Sequence, residues 1–156
     1  MKLIECVPNF SEGQNKSTID KIVQSIQSVH YVKVLDVEIG FDTNRSVVTF
    51  VGPPDSVIEA AYEAIKRASE LIDMRRHQGT HSRIGATDVC PLIPISNVSI
   101  DECIKFSENL AKKVGDLLKI PVYLYEDSAK MKNRKNLANI REGEYELLAN
   151  RIISKE

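Results

Sequence analysis

The sequence predicts an α+β fold: a ferredoxin-like split βαβ two-layer sandwich with an additional αβ unit and a C-terminal helix. Three observations carry that expectation. Apolar patterns of period 2 and period 3.6 alternate along the chain in the order β-α-β-β-α-β-α-β, then helix. The two middle strands are joined by the short stretch 40–44, GFDTN, which makes them a hairpin inside the frame. The 156 residues contain no internal repeat, low-complexity tract or linker, so 1–156 reads as a single domain.

Each element has a local reason. KLIECV (2–7) is a first strand, ended by Pro8 and Asn9, and 9–15 is polar and turn-rich. Ile19, Ile22, Val23 and Ile26 repeat at helical spacing, predicting a helix over 17–28, with Ser17 and Asp20 spaced as a capping box. YVKVLDVEI (31–39) alternates and is rich in Val, so it is a strand; RSVVTFVG (45–52) returns beside it. Pro53, Pro54 and Asp55 open a second helix running from 55 to about 73. Residues 74–85 form a polar loop. ATDVCPLIPI (86–95) is too short and Pro-broken for a helix, and its prolines favour a sheet edge or an irregular strand. Ser99 and Glu102 match a capping box ahead of a helix over about 100–118. PVYLYE (121–126) reads as a last strand, and EYELLANRII as a helix after Gly143. The expected sheet is mixed, with helices on one face.

Composition excludes several classes of function. The net charge of −1 provides no field for nucleic acid, and aromatic residues at 6% without Trp leave few bases a platform to stack on. No apolar run approaches the ~18 residues of a membrane span, and the N-terminus has no signal-like apolar region. The expected location is the cytoplasm. Cys6, Cys90 and Cys103 are odd in number, lack a CxxC spacing and sit among apolar residues, which fits buried thiols in a reducing compartment.

Candidate chemistry gathers in 77–94, HQGTHSRIGATDVCPLIP. His81 stands between Gly79 and Gly85, and an imidazole can take and return a proton near neutral pH. By spacing alone most loop histidines are surface or structural. His77 and His81 are four apart, but Gly79 between them and the absence of a following Glu speak against a zinc-peptidase helix, and no metal is expected. Arg45, Arg75, Arg76 and Arg83 offer forks suited to carboxylates, although a solvated surface explains Arg75 and Arg76 equally well. Asp36 and Glu38 share one strand face, a pattern that either orients a histidine or is simply the wet side of a hairpin.

ECVPNFSEG (5–13), LDVEIGFDTNRSVVTFVG (35–52), LIDMRRHQGTHSRIGATDVCPLIP (71–94), PVYLYE (121–126) and NIREGEYELL (139–148) together resemble the N-terminal subdomain of the formiminotransferase (glutamate formimidoyltransferase) family. The resemblance implies transfer of a formimino group from N-formimino-L-glutamate to N5 of tetrahydrofolate, a step of histidine degradation and one-carbon metabolism. It implies two similar subdomains with the folate between them, tetrahydrofolate as co-substrate and no metal. The histidine of the family's H-P-R-x-G-A-x-D-V-C-P string corresponds to His81 and implies a catalytic acid–base. Glu38 aligns with a family aspartate and is carried over as its catalytic partner. Asn9, Asn44, Arg45, Arg83, Gly85 and Asp88 are carried over as substrate-binding positions. Two departures stand out: Ser82 replaces the motif proline, and Glu38 is one methylene longer than aspartate.

The family's C-terminal subdomain is absent from the sequence. A homodimer, or a separate chain carrying that subdomain, is therefore expected to complete the site, unless the sequence is a piece of a longer one or the activity is lost. The alternative is a non-catalytic folate-binding or regulatory module of the same family.

Overall fold

The computed structural model of the chain describes residues 1–154. In chain order its elements are β1 (Leu3–Cys6), β2 (Asn9–Phe10), α1 (Lys16–Gln27), β3 (Lys33–Gly40), β4 (Arg45–Gly52), α2 (Pro54–Leu71), β5 (Thr87–Val89), β6 (Leu92–Ser96), α3 (Ile100–Leu118), α4 (Leu137–Arg141) and α5 (Glu144–Ser154). Pro91 divides the strand expected over 86–95 into β5 and β6, because a residue without an N–H interrupts the ladder. The first strand ends before Pro8 as expected, but Asn9 and Phe10, expected in a polar turn, form the short β2.

The sheet is antiparallel at every recorded pairing, not mixed. β4 lies at its centre, with β3 on one side and β1 with β2 on the other. Beyond these, β6 pairs with β1 and β5 with β2, so the proline-bearing segment takes the edge. One face is packed. Ile4, Cys6, Phe10, Val48 and Phe50 are fully buried in one cluster with Ile22 and Ile26 of α1 and Val57, Ala60 and Ala64 of α2. The alanine-rich stripe of α2 lets it lie close to the strands.

Helix starts show which local signals act. The Ser99–Glu102 capping box forms as expected at α3. At α1 the cap is instead Asn15, whose side chain accepts from Thr18 N, while Asp20 pairs with Lys16. Asn15 already satisfies the first-turn amide, so Ser17 has no cap to make.

The expected strand over 121–126 does not form. Tyr123 lies against the guanidinium groups of Arg134 and Arg151, and Tyr125 is turned into the interior. Burial, then the neighbouring Cys90, pushes the Tyr125 phenol well above its ordinary value. Glu126 N bonds to Lys135 O. Alternation makes the segment look like a strand, but its side chains are taken up by the C-terminal segment rather than by a ladder.

Candidate active site

The turn between β3 and β4 is built around Asn44. Its φ is 46°, in the left-handed region that Asn tolerates, and it is 8% exposed. Oδ1 accepts from Gly13 N at 2.9 Å, and Nδ2 donates to Gln78 O at 2.8 Å. Three chain segments meet here so closely that side chains are excluded. A Cβ on Gly79 would lie 2.3 Å from Thr43 O, and one on Gly13 would lie 2.1 Å from Gly40 O. A Cβ on Gly85 would meet nothing nearer than Thr87 O at 3.4 Å, so close packing demands Gly79 and not Gly85. This junction fixes the backbone from which Arg45 projects.

The loop after α2 has two kinds of residue. His77 is spoken for on both ring nitrogens: Nε2 bonds Asn44 O at 2.8 Å, and Nδ1 accepts from Arg83 Nε at 3.0 Å. Those partners fix its tautomer as Nε2–H. Arg83 is 7% exposed and donates Nη1 to Glu144 at 2.5 Å and Nη2 to Glu146 at 2.8 Å. The Arg83 hydrogen bonds hold the Glu146 carboxyl down at about 2. Asp88, whose side chain is fully buried, accepts from Ile84 N at 2.8 Å through Oδ1 and is paired through Oδ2 with Arg141. Arg83 and Asp88 thus bind α5 and α4 to the loop, and their groups are occupied by the chain itself.

His81 is different. It is half-buried, and Nδ1 bonds Ser82 O at 2.6 Å. The Nδ1–H donates there, leaving Nε2 to accept from Arg45 Nη1 at 2.8 Å. Glu38 makes no recorded hydrogen bond to His81; among the described residues it is Arg45 that holds the ring.

Register explains what surrounds the pair. Glu38 pairs with Val47, and Val47 with Asn9, which pairs in turn with Val89. Directly paired residues share a face, so Glu38, Val47, Asn9 and Val89 form one row across the sheet. Glu38 and Asn9 are two strand spacings apart, roughly 10 Å. Arg45 is two residues from Val47 and projects from the same face, opposite the helices. Along that face Glu5, Thr49 and Val51 are half-buried, while Lys33, Asp36 and Ile93 are exposed. Glu38 and Asn9 thus share the sheet face from which Arg45 reaches His81, Asn9 Nδ2 donating to Val7 O at 3.1 Å, while Asn44, Arg83 and Asp88 stay within the scaffold.

An apolar cavity of about 560 Å³ lies away from this chemistry. It is formed by α3, β5, β6 and Tyr123–Tyr125, and its wall includes Gly85 and Asp88 but neither histidine. Among the described residues no three His, Cys, Asp or Glu side chains gather to hold a metal ion. No helix among them is long and apolar enough to cross a membrane.

Comparison with known proteins decides the family. The profile of the formiminotransferase domain, N-terminal subdomain, matches residues 3–156. The chain belongs to the formiminotransferase family. A formimidoyltransferase-cyclodeaminase of Rattus norvegicus is 48% identical over 155 residues, covering 99% of this chain and 29% of the relative. A glutamate formimidoyltransferase of Streptococcus pyogenes serotype M1 is 44% identical over 155 residues, covering 99% and 52%. One from Thermoplasma acidophilum is 46% identical over 141 residues, covering 90% and 46%. The chain spans about half or less of these relatives. In this formiminotransferase subdomain the motif loop is thus divided between a scaffold portion and His81. The sequence left unseen the partners of the scaffold portion: Arg141, Glu144 and Glu146 lie 53 to 63 residues from the side chains they hold. Complementary charge was visible, but no local spacing links residues so far apart.

Proposed function

We propose that this chain supplies the base-bearing half of a glutamate formimidoyltransferase site. The substrates are N-formimino-L-glutamate and tetrahydrofolate. N5 of the folate attacks the formimino carbon, a tetrahedral intermediate forms, and the bond from that carbon to the glutamate nitrogen breaks. The proton lost by N5 is taken by Nε2 of His81 and delivered to the departing nitrogen, so charge and atoms balance. A positioned imidazole contributes about 10²–10⁴-fold to such a transfer. The observation that carries this reading is His81 itself: its ring is oriented through Nδ1, and its lone pair points to a side chain at one end of a sheet face bare of helices. Glu38 and Asn9, on the same sheet face as Arg45, are assigned to substrate contact.

The ferredoxin-like arrangement is part of the same reading. Treating β1–β2 and β5–β6 as one strand each gives four strands with the β4 pairings described above, and this order supports it. A second subdomain, on a separate chain or a second copy, covers the bare face. Val47, Val51, Val89 and Ile93 on that face support such a contact. The free thiols support a reducing, cytoplasmic location.

The test is transfer with both substrates and a chain carrying the second subdomain. Turnover that requires both chains supports the proposal. Tight binding of reduced folate by calorimetry without any turnover supports the second reading, a folate-binding module. One observation favours that second reading: the lone pair of His81 is engaged by Arg45.

A further inference from the structure

We infer that Arg45 is a latch on His81 that the substrate's own α-carboxylate releases. The inference rests on the formimidoyltransferase reading above. In the structure Arg45 Nη1 lies 2.8 Å from Nε2, the nitrogen that must take the proton. A lone pair that accepts a guanidinium N–H is not available to a substrate. The resting site therefore holds its base aligned and blocked by one contact.

Arg45 is suited to let go. Arg83 and Arg141 are each paired with carboxylates, whereas Arg45 forms no ion pair among the described residues. A planar guanidinium bonds a carboxylate through two parallel N–H groups, and such charge-assisted bonds are about twice as strong as neutral ones. A carboxylate arriving beside His81 therefore outcompetes the imidazole for the fork. The backbone does not move: β4 is paired on both sides, and the Asn44 junction fixes its start. The ring does not turn either, because Nδ1 stays bonded to Ser82 O. Only the Arg45 side chain swings, and Nε2 is left open and aimed.

Chemistry selects which carboxylate does this. The nitrogen that His81 protonates in N-formimino-L-glutamate is attached to the carbon bearing the α-carboxylate. The γ-carboxylate lies three carbons from that nitrogen-bearing carbon, and the folate's glutamate lies across the benzoyl ring from N5. Arg45 thus reads a carboxylate adjacent to the reacting nitrogen, and the base is released only when an α-amino-acid-derived donor is seated.

The experiment compares L-glutamate with 4-aminobutyrate, which lacks the α-carboxylate, on wild type and R45Q. The His81 ring is followed by ¹⁵N NMR, in the chain alone and with the second subdomain supplied. Glutamate is expected to shift Nε2 in wild type, 4-aminobutyrate to leave it unchanged, and R45Q to abolish the difference. Equal responses to the two amines, or no response of Nε2 to glutamate in either preparation, overturn the latch. In the transfer assay R45Q is expected to lower kcat/KM for N-formimino-L-glutamate by about 10- to 100-fold, the worth of a charge-assisted hydrogen bond. For N-formimino-4-aminobutyrate, which cannot release the latch, R45Q is expected to raise kcat/KM, because Nε2 is no longer blocked. Equal losses on both donors overturn the latch while leaving His81 as the base. Retention of full transfer by H81A overturns the reading beneath it.

Discussion

His77 and His81 sit four residues apart in one loop, yet the fold treats them oppositely. Both nitrogens of His77 are engaged by groups that cannot move independently: the carbonyl of Asn44 in a buried turn, and Arg83, itself pinned by Glu144 and Glu146. His81 is held by its neighbour's carbonyl and by one side chain that projects from the open face of the sheet. Residue type and spacing are the same in both cases. On the proposed reading, what separates the two histidines is where their partners are anchored. When they are fixed scaffold the ring is a strut, and when one of them can leave, a lone pair becomes available.

The clamped side of the loop is expected to give the largest stability effect. Asp88→Ala strands Arg141 in a partly buried place and frees Ile84 N, and breaking a buried pair this way costs about 3–5 kcal/mol. Urea unfolding checks it. A loss below about 1 kcal/mol would show that the clamp is not what holds the loop. His77→Ala is expected to cost about 1–3 kcal/mol, because the Asn44 carbonyl and Arg83 Nε lose their partner. Thermal unfolding should register that loss while kcat in the folded protein stays within about threefold, well inside the range that removing a general base produces. A kcat that falls with His77 as far as it does with His81 breaks the comparison.

A smaller effect is expected from acid. Glu146 titrates at about 2 in the fold because Arg83 bonds its charged form. Its folded value lies below its unfolded one, near 4.3, so the stabilisation is present above that unfolded value. It is lost as pH falls from about 4.3 towards about 2. The side chain is exposed, so the contribution is screened and shrinks in high salt. Hydrogen exchange in α5 should accelerate through that window in wild type. E146Q should show the faster exchange already at neutral pH and a flatter acid response. An identical pH profile in E146Q would remove Arg83 as the anchor of α5.

Much of the fold is written locally. The Ile19, Ile22 and Ile26 stripe, the Ser99–Glu102 box, the Gly40–Asn44 turn and Gly143 before α5 each carry their own signal, and each element formed. PVYLYE misled because alternation says only that two faces differ, and here Tyr123 and Tyr125 found partners other than a strand. Of the residues around the candidate site, Arg45 and His81 meet, and Glu38 lies on the sheet face from which Arg45 projects; strand parity in the sequence reached only as far as placing Glu38 beside Asp36. That Arg83 and Asp88 belong to the scaffold was not legible, because their counter-charges arrive from a distant helix pair through tertiary packing alone. The same holds for Asn44, whose role depends on three turns closing on one another.

The most direct measurement is the single-turnover rate of formimino transfer by His81→Ala against His77→Ala, each with the second subdomain supplied and each confirmed folded by its amide spectrum. The expected result is a fall of at least about 100-fold for His81→Ala and a rate within about threefold of wild type for His77→Ala. A His81→Ala enzyme that transfers at the wild-type rate contradicts the assignment of the base and the reading built on it.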